Sequence, residues 1–130
     1  MTANEEILKL AQKAADNAYC EYSKFSTGAC AVYESGRAYT GCNVENASYG
    51  LTLCAERNAM SNAVNAGEKT RLVKIAVFSP RVKLCFPCGA CLQWISEFSK
   101  GFNTEIILED KNSRPRSFYI NDLMPCPFSL

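Results

Sequence analysis

Two short segments constrain this chain more than anything else in it. Cys54-Ala55-Glu56 opens one expected helix, and Pro87-Cys88-Gly89-Ala90-Cys91 opens the next. Thiols at a helix start sit beside unpaired backbone N–H groups, which lower a thiol pKa and favour the thiolate, the form that binds metal. A Cys-x-x-Cys pair lets Cys88 and Cys91 hold one ion from a single helical turn. Cys54 can add a third corner of a tetrahedron only if the two helix starts lie side by side. A shared ion would therefore fix how two elements pack. The chain contains no histidine, so any metal site must be built from Cys, Asp or Glu.

Helical spacing of apolar residues runs from Glu5 to Tyr19. Gly28–Tyr33 and Ala38–Val44 are short strand-like runs separated by turn residues, which predicts a hairpin. Cys54–Ala66 is rich in helix formers, with Gly67 as its stop signal. Leu72–Phe78 suits a central strand, a second such helix spans about Cys88 to Ser99, and Thr104–Leu108 and Arg116–Ile120 complete a set of five strands. That order predicts an α/β fold: a three-layer α/β/α sandwich around a mixed five-stranded sheet. At 130 residues, without a linker or internal repeat, residues 1–130 are expected to form a single domain.

The formal net charge is +1 and the Lys and Arg residues form no run, so a nucleic acid polymer is not the expected partner. The first residues carry two acids and no long apolar stretch, so neither a membrane span nor export is expected, and the predicted location is the cytoplasm. There the eight cysteines would stay reduced and serve as ligands or as small core residues.

Three protein ligands and one open position describe a catalytic zinc, whereas a structural zinc is normally closed by four. Glu56, two residues after Cys54, is placed to move a proton at a zinc-bound water. Arg57 is placed to hydrogen-bond a thiolate sulfur and offset the surplus negative charge of three thiolates on one divalent ion. A lone Cys-x-x-Cys is as often a closed zinc site or a redox pair. The combination of Cys-Ala-Glu with Pro-Cys-x-x-Cys at two helix starts is the zinc deaminase pattern. Asn43 and Glu45 lie two apart at a strand end, so their side chains share a face. They could bind one ligand or could equally be turn residues. Phe25 and Phe128, taken singly, read more readily as core than as stacking platforms.

At these residues the chain resembles the small, homotetrameric cytidine deaminases of three-cysteine zinc type over nearly its whole length. The likeness extends through Tyr22-Ser23-Lys24-Phe25, Gly41 to Gly50, Cys54 to Arg57, Pro87 to Cys91 and Pro125 to Phe128. The resemblance implies one Zn2+ per subunit on Cys54, Cys88 and Cys91. It implies catalysis by Glu56 and hydrolytic deamination of cytidine and deoxycytidine to uridine and deoxyuridine in pyrimidine salvage. It further implies that Asn43 and Glu45 bind the ribose, that Phe25 packs on the pyrimidine, and that Ala55 reads the base edge. Tyr49 and Phe128 would come from neighbouring subunits of a homotetramer.

The pattern is broken at Leu92, where many members carry Arg, at Phe86, where Ser is common, and at Ser26-Thr27, which replaces a Pro-Val pair. The chain stops two residues after Phe128, which leaves little to order that aromatic. Cys20, Cys30, Cys42, Cys85 and Cys126 are expected as small buried residues. The rival readings are a deaminase of a modified cytosine nucleoside, a nucleic-acid editing deaminase and a non-enzymatic structural zinc module. Asn43 with Glu45 argues against the first, the charge balance against the second and Glu56 against the third.

Overall fold

The computed structural model describes residues 1–130. Helix α1 spans Ala3–Ala15 and opens with a capping box: the Thr2 side chain accepts from the Glu5 amide while Glu5 reaches back to the Thr2 amide. It ends four residues short of the predicted Tyr19, because Tyr19 leaves the helix to exchange backbone hydrogen bonds with Asn43 and Glu45. A hairpin follows, β1 (Gly28–Tyr33) and β2 (Ala38–Cys42). Beyond it lie a 3-10 turn at Tyr49–Leu51, α2 (Ala55–Asn65), β3 (Leu72–Phe78), α3 (Gly89–Ser99), β4 (Glu105–Glu109), β5 (Pro115–Tyr119) and a short α4 (Ile120–Leu123). Neither the 3-10 turn nor α4 has a periodicity long enough to be read in the sequence.

The strands form one mixed sheet in the order β2-β1-β3-β4-β5, parallel only between β3 and β4. Alternation along the interior strands builds two cores, one on each face. Ala29, Ala31, Ile75, Val77, Ile106 and Leu108 point towards α2 and α3, where they pack with Ala59, Met60 and Ile95. Cys30, Ala76, Phe78 and Ile107 point the other way and meet Leu8, Ala11 and Ala15 of α1. The sheet is thus covered on both sides, as the α/β/α reading requires.

Two glycines set the approach of the helices. A Cβ at Gly28 would lie 1.9 Å from the Ala11 carbonyl oxygen, and one at Gly41 would lie 2.4 Å from the Ala59 amide nitrogen. No side chain fits either gap, so α1 and α2 rest directly on neighbouring strands. Close seating of α2 on β2 brings its N-terminus, with Cys54 and Glu56, to the edge of a cleft beside the N-terminus of α3. No helix is long and apolar enough to cross a membrane.

Candidate active site

Both helices that carry the thiols begin on a cysteine. Cys54 is the N-cap of α2 and Cys88 the N-cap of α3, each with extended backbone angles, while Cys91 sits one turn into α3. N-cap and third helical positions face each other in any helix start, the geometry a capping box exploits with oxygen. Here the same spacing pairs two sulfurs. Cys54 joins them from α2, and the three Sγ atoms all lie within 4.8 Å of one another. Three soft thiol donors converging from two helix starts suit zinc.

Within the cluster Cys54 is the member favoured as thiolate. The Cys54 thiol is pulled down to about 5, first by the hydrogen bond from Cys91 and then by Arg57. Cys91, as the donor in that pair, is held above the usual thiol value. Arg57 Nη2 donates to Cys54 Sγ at 3.3 Å and to the Thr52 carbonyl oxygen at 3.2 Å. This is the contact expected of Arg57 from the sequence, and it anchors the guanidinium to the backbone just ahead of the ligand.

Glu56 is only 4% exposed, and burial raises its carboxyl to about 7, with the negative Cys54 adding to the effect. A buried carboxyl that shares a cavity with a metal-binding cluster is suited to holding and releasing a proton near neutral pH. Cys85 lines the same cavity but is not part of the thiol cluster. Burial and the Glu56 charge push its thiol up to about 11.

The cavity measures about 340 Å³, within the ~300–1,000 Å³ typical of small-molecule sites. Phe25, Asn43, Glu45, Tyr49 and Ala55 all line it with Cys54, Glu56 and Cys88, so most of the residues singled out in the sequence converge on one place. Tyr49 edges the cavity of its own chain, although it was expected from a neighbour. Phe128 is not among the lining residues. It is 71% exposed, on the far end of a tail that Gln93 of α3 clamps: Gln93 Nε2 donates to the Phe128 carbonyl (2.8 Å) and the Phe128 amide donates to Gln93 Oε1 (3.2 Å). The tail backbone is therefore held by a side chain 35 residues earlier that nothing local in the sequence singles out, while the Phe128 ring itself stays exposed.

Asn43 and Glu45 act as turn residues and as cavity lining at once. Asn43 Oδ1 accepts from the Thr27 amide (2.9 Å) and its Nδ2 donates to the Phe25 carbonyl (2.8 Å). Glu45 accepts from the Tyr22 and Ser23 amides and from the Ser23 hydroxyl, which, led by that hydroxyl, hold its carboxyl below the ordinary carboxylate value. Both side chains thus fix the 22–27 strap, which carries Phe25 over the cavity. Each retains spare capacity, one N–H on Asn43 and a lone pair on Glu45, for a ligand.

Ser23, Thr27, Thr52 and Phe86 also line the cavity without having been read as site residues. No Lys or Arg does so. Of the five other thiols, Cys30 is buried as expected. Cys20, Cys42 and Cys85 are half-buried, and Cys126 is exposed in the C-terminal tail, where no core reaches it.

Comparison with known proteins agrees with this geometry. Residues 1–108 match the family described as the cytidine and deoxycytidylate deaminase zinc-binding region. A cytidine deaminase of Mycobacterium tuberculosis is 42% identical over 120 residues, covering 92% of this chain and 85% of that protein. One from Sporosarcina psychrophila is 37% identical over 125 residues, covering 96% and 90%. The crystal structure of cytidine deaminase from Burkholderia pseudomallei superposes with a TM-score of 0.87 at 39% identity, covering 98% of this chain and 100% of the other. The chain belongs to the cytidine and deoxycytidylate deaminase zinc-binding family.

Proposed function

We propose that this chain hydrolytically deaminates cytidine and deoxycytidine to uridine and deoxyuridine, releasing ammonia. The observation that carries the reading is the convergence of Cys54, Cys88 and Cys91 next to a buried Glu56 in one cavity. Zinc held by the three thiolates would act as a Lewis acid and acidify a bound water. The Glu56 carboxylate accepts the proton of the water that adds to C4 and delivers it to N3 of the pyrimidine. It then takes the remaining proton from the hydroxyl added at C4 and passes it to the amino group, so that the C4–N bond breaks as the C4 carbonyl forms and ammonia leaves. Phe25 packs on the ring, the Ala55 backbone meets the base edge, and Asn43 and Glu45 hold the sugar hydroxyl, so that C4 is presented in one orientation. Arg57 balances the charge of the thiolates. A cavity without a cation and with two carboxylates favours an uncharged nucleoside over its phosphate ester.

The finer points belong to the same reading. Residues 1–130 act as one domain, the protein works in the cytoplasm in pyrimidine salvage, and four copies assemble with the exposed Phe128 of one approaching the cavity of another. The exposed aromatic and the open cavity rim support that assembly. The first test is the loss of the cytosine absorbance band with cytidine as substrate. Wild type should turn over, and Glu56→Ala at matched zinc content should lose ~10²–10⁴-fold in rate, the usual contribution of a proton-transfer group. A zinc-loaded wild type that leaves cytidine untouched would overturn the reading.

A further inference from the structure

The 22–27 strap that carries Phe25 contains no proline, so no locked φ holds its course and hydrogen bonds must do so. Asn43 and Glu45 support it from inside the cavity. Two further supports come from behind, from a turn closed by the pairing of Ser79 with Val82 just after β3. Ser79 is 3% exposed, and its hydroxyl donates to the Ser26 carbonyl at 2.7 Å while accepting from the Arg81 amide at 3.2 Å. Arg81 Nη1 donates to the Lys24 carbonyl at 2.8 Å.

Three consecutive carbonyls are therefore held by side chains: Lys24 by Arg81, Phe25 by Asn43 and Ser26 by Ser79. Because each peptide unit is planar, fixing the carbonyls on both sides of Phe25 fixes the direction in which its ring leaves the backbone. The strap has reason to move without these bonds. Lys24 sits in the left-handed region (φ 58°), which a lysine adopts only when its surroundings enforce it. Neither Ser79 nor Arg81 lines the cavity, so a ligand meets only the ring that they place.

We infer that Ser79 and Arg81 are positioning residues for substrate binding, which preset Phe25 over the cavity before a ligand arrives and which, resting on the nucleoside reading above, set KM more than kcat. With the rear bonds gone, Phe25 occupies its binding position only part of the time. Apparent affinity then falls by that fraction, while the bound complex keeps its geometry.

Steady-state kinetics with cytidine on zinc-loaded protein test this. Ser79→Ala should raise KM ~3–10-fold, the net worth of one hydrogen bond, with kcat within about twofold of wild type. Arg81→Ala, at an exposed side chain whose loss the fold tolerates, should raise KM about twofold. In a Phe25→Ala background there is no ring to place, and neither substitution should raise KM further. Amide exchange gives a readout without turnover: in Ser79→Ala the Phe25 and Thr27 amides should exchange faster while those of α2 keep their wild-type rates. A merely structural role would speed exchange throughout and multiply KM equally with or without Phe25. Either result, or an unchanged KM, overturns the inference while turnover by wild type keeps the nucleoside reading. A wild type that leaves cytidine untouched overturns both.

Discussion

At the residue scale, the site depends on hydrogen bonds made to charged atoms. Arg57 is half-buried and donates to a sulfur that its own charge helps to ionise, so it stabilises the ligand form of Cys54 without touching the reacting atoms. Arg57→Ala should lower zinc affinity ~10–100-fold, as loss of a ligand's hydrogen-bond partner typically does. Competition against a chromogenic chelator at fixed pH measures it, and unchanged affinity would remove Arg57 from the metal site. The ligand set itself was readable because Cys-x-x-Cys at a helix start is a local arrangement: the geometry of one turn follows from the backbone alone. Phe86 was not readable as a cavity residue, since its orientation comes from Phe118, 32 positions away, on a strand whose partner is β4.

At the element scale, the close seating of α2 decides where Cys54 and Glu56 stand. Gly41→Ala would force a methyl group to within 2.4 Å of the Ala59 amide nitrogen and 2.8 Å of the Ala55 carbonyl, both backbone atoms that cannot swing aside. The expected cost is ~1–3 kcal/mol of stability, read by urea unfolding, together with weaker zinc binding as the start of α2 lifts from β2. A second tie, at the other end of the same elements, is electrostatic. Glu68 accepts from Ser35 in the hairpin turn, Tyr39 of β2 and Thr70 ahead of β3, and these bonds, led by the Thr70 hydroxyl, hold its carboxyl down to about 2. Because the folded value lies below the unfolded one, ~4.3, the carboxylate stabilises the fold fully above that pH. Its contribution is lost as pH falls from about 4 towards 2. Denaturation followed across that window should show a shallower pH dependence in Glu68→Gln than in wild type; parallel curves would exclude this tie.

At the scale of the whole molecule, the cavity opens at the surface beside Tyr49 and Leu51, which are 74% and 70% exposed, and Phe128 stands out from the α3 face at 71%. Exposed aromatics at a cavity rim and on a clamped tail are the features a homotetramer would bury. Light scattering should therefore give four times the 14.3 kDa chain mass. Phe128→Ala should raise KM for cytidine while zinc content stays at one ion per chain. A fully active monomer would contradict both expectations.

What the sequence determined by itself is what short-range periodicity and spacing can encode. Leu72–Phe78 has the β-branched, apolar pattern of an interior strand and is β3, the two thiol-bearing helices begin within a residue of where capping chemistry places them, and the triad with Glu56 follows from that. The tertiary structure alone decided which distant segments share a wall. It set Tyr49 at the rim of its own chain's cavity and left Cys126 exposed. It tied the tail to Gln93, stopped α1 where Tyr19 pairs with β2's extension, and backed Phe86 with Phe118 and Arg116. The physical reason is one of range. A helix start is specified by the few residues that bond within it, whereas a cavity wall is fixed by packing between segments that meet only once the sheet has formed.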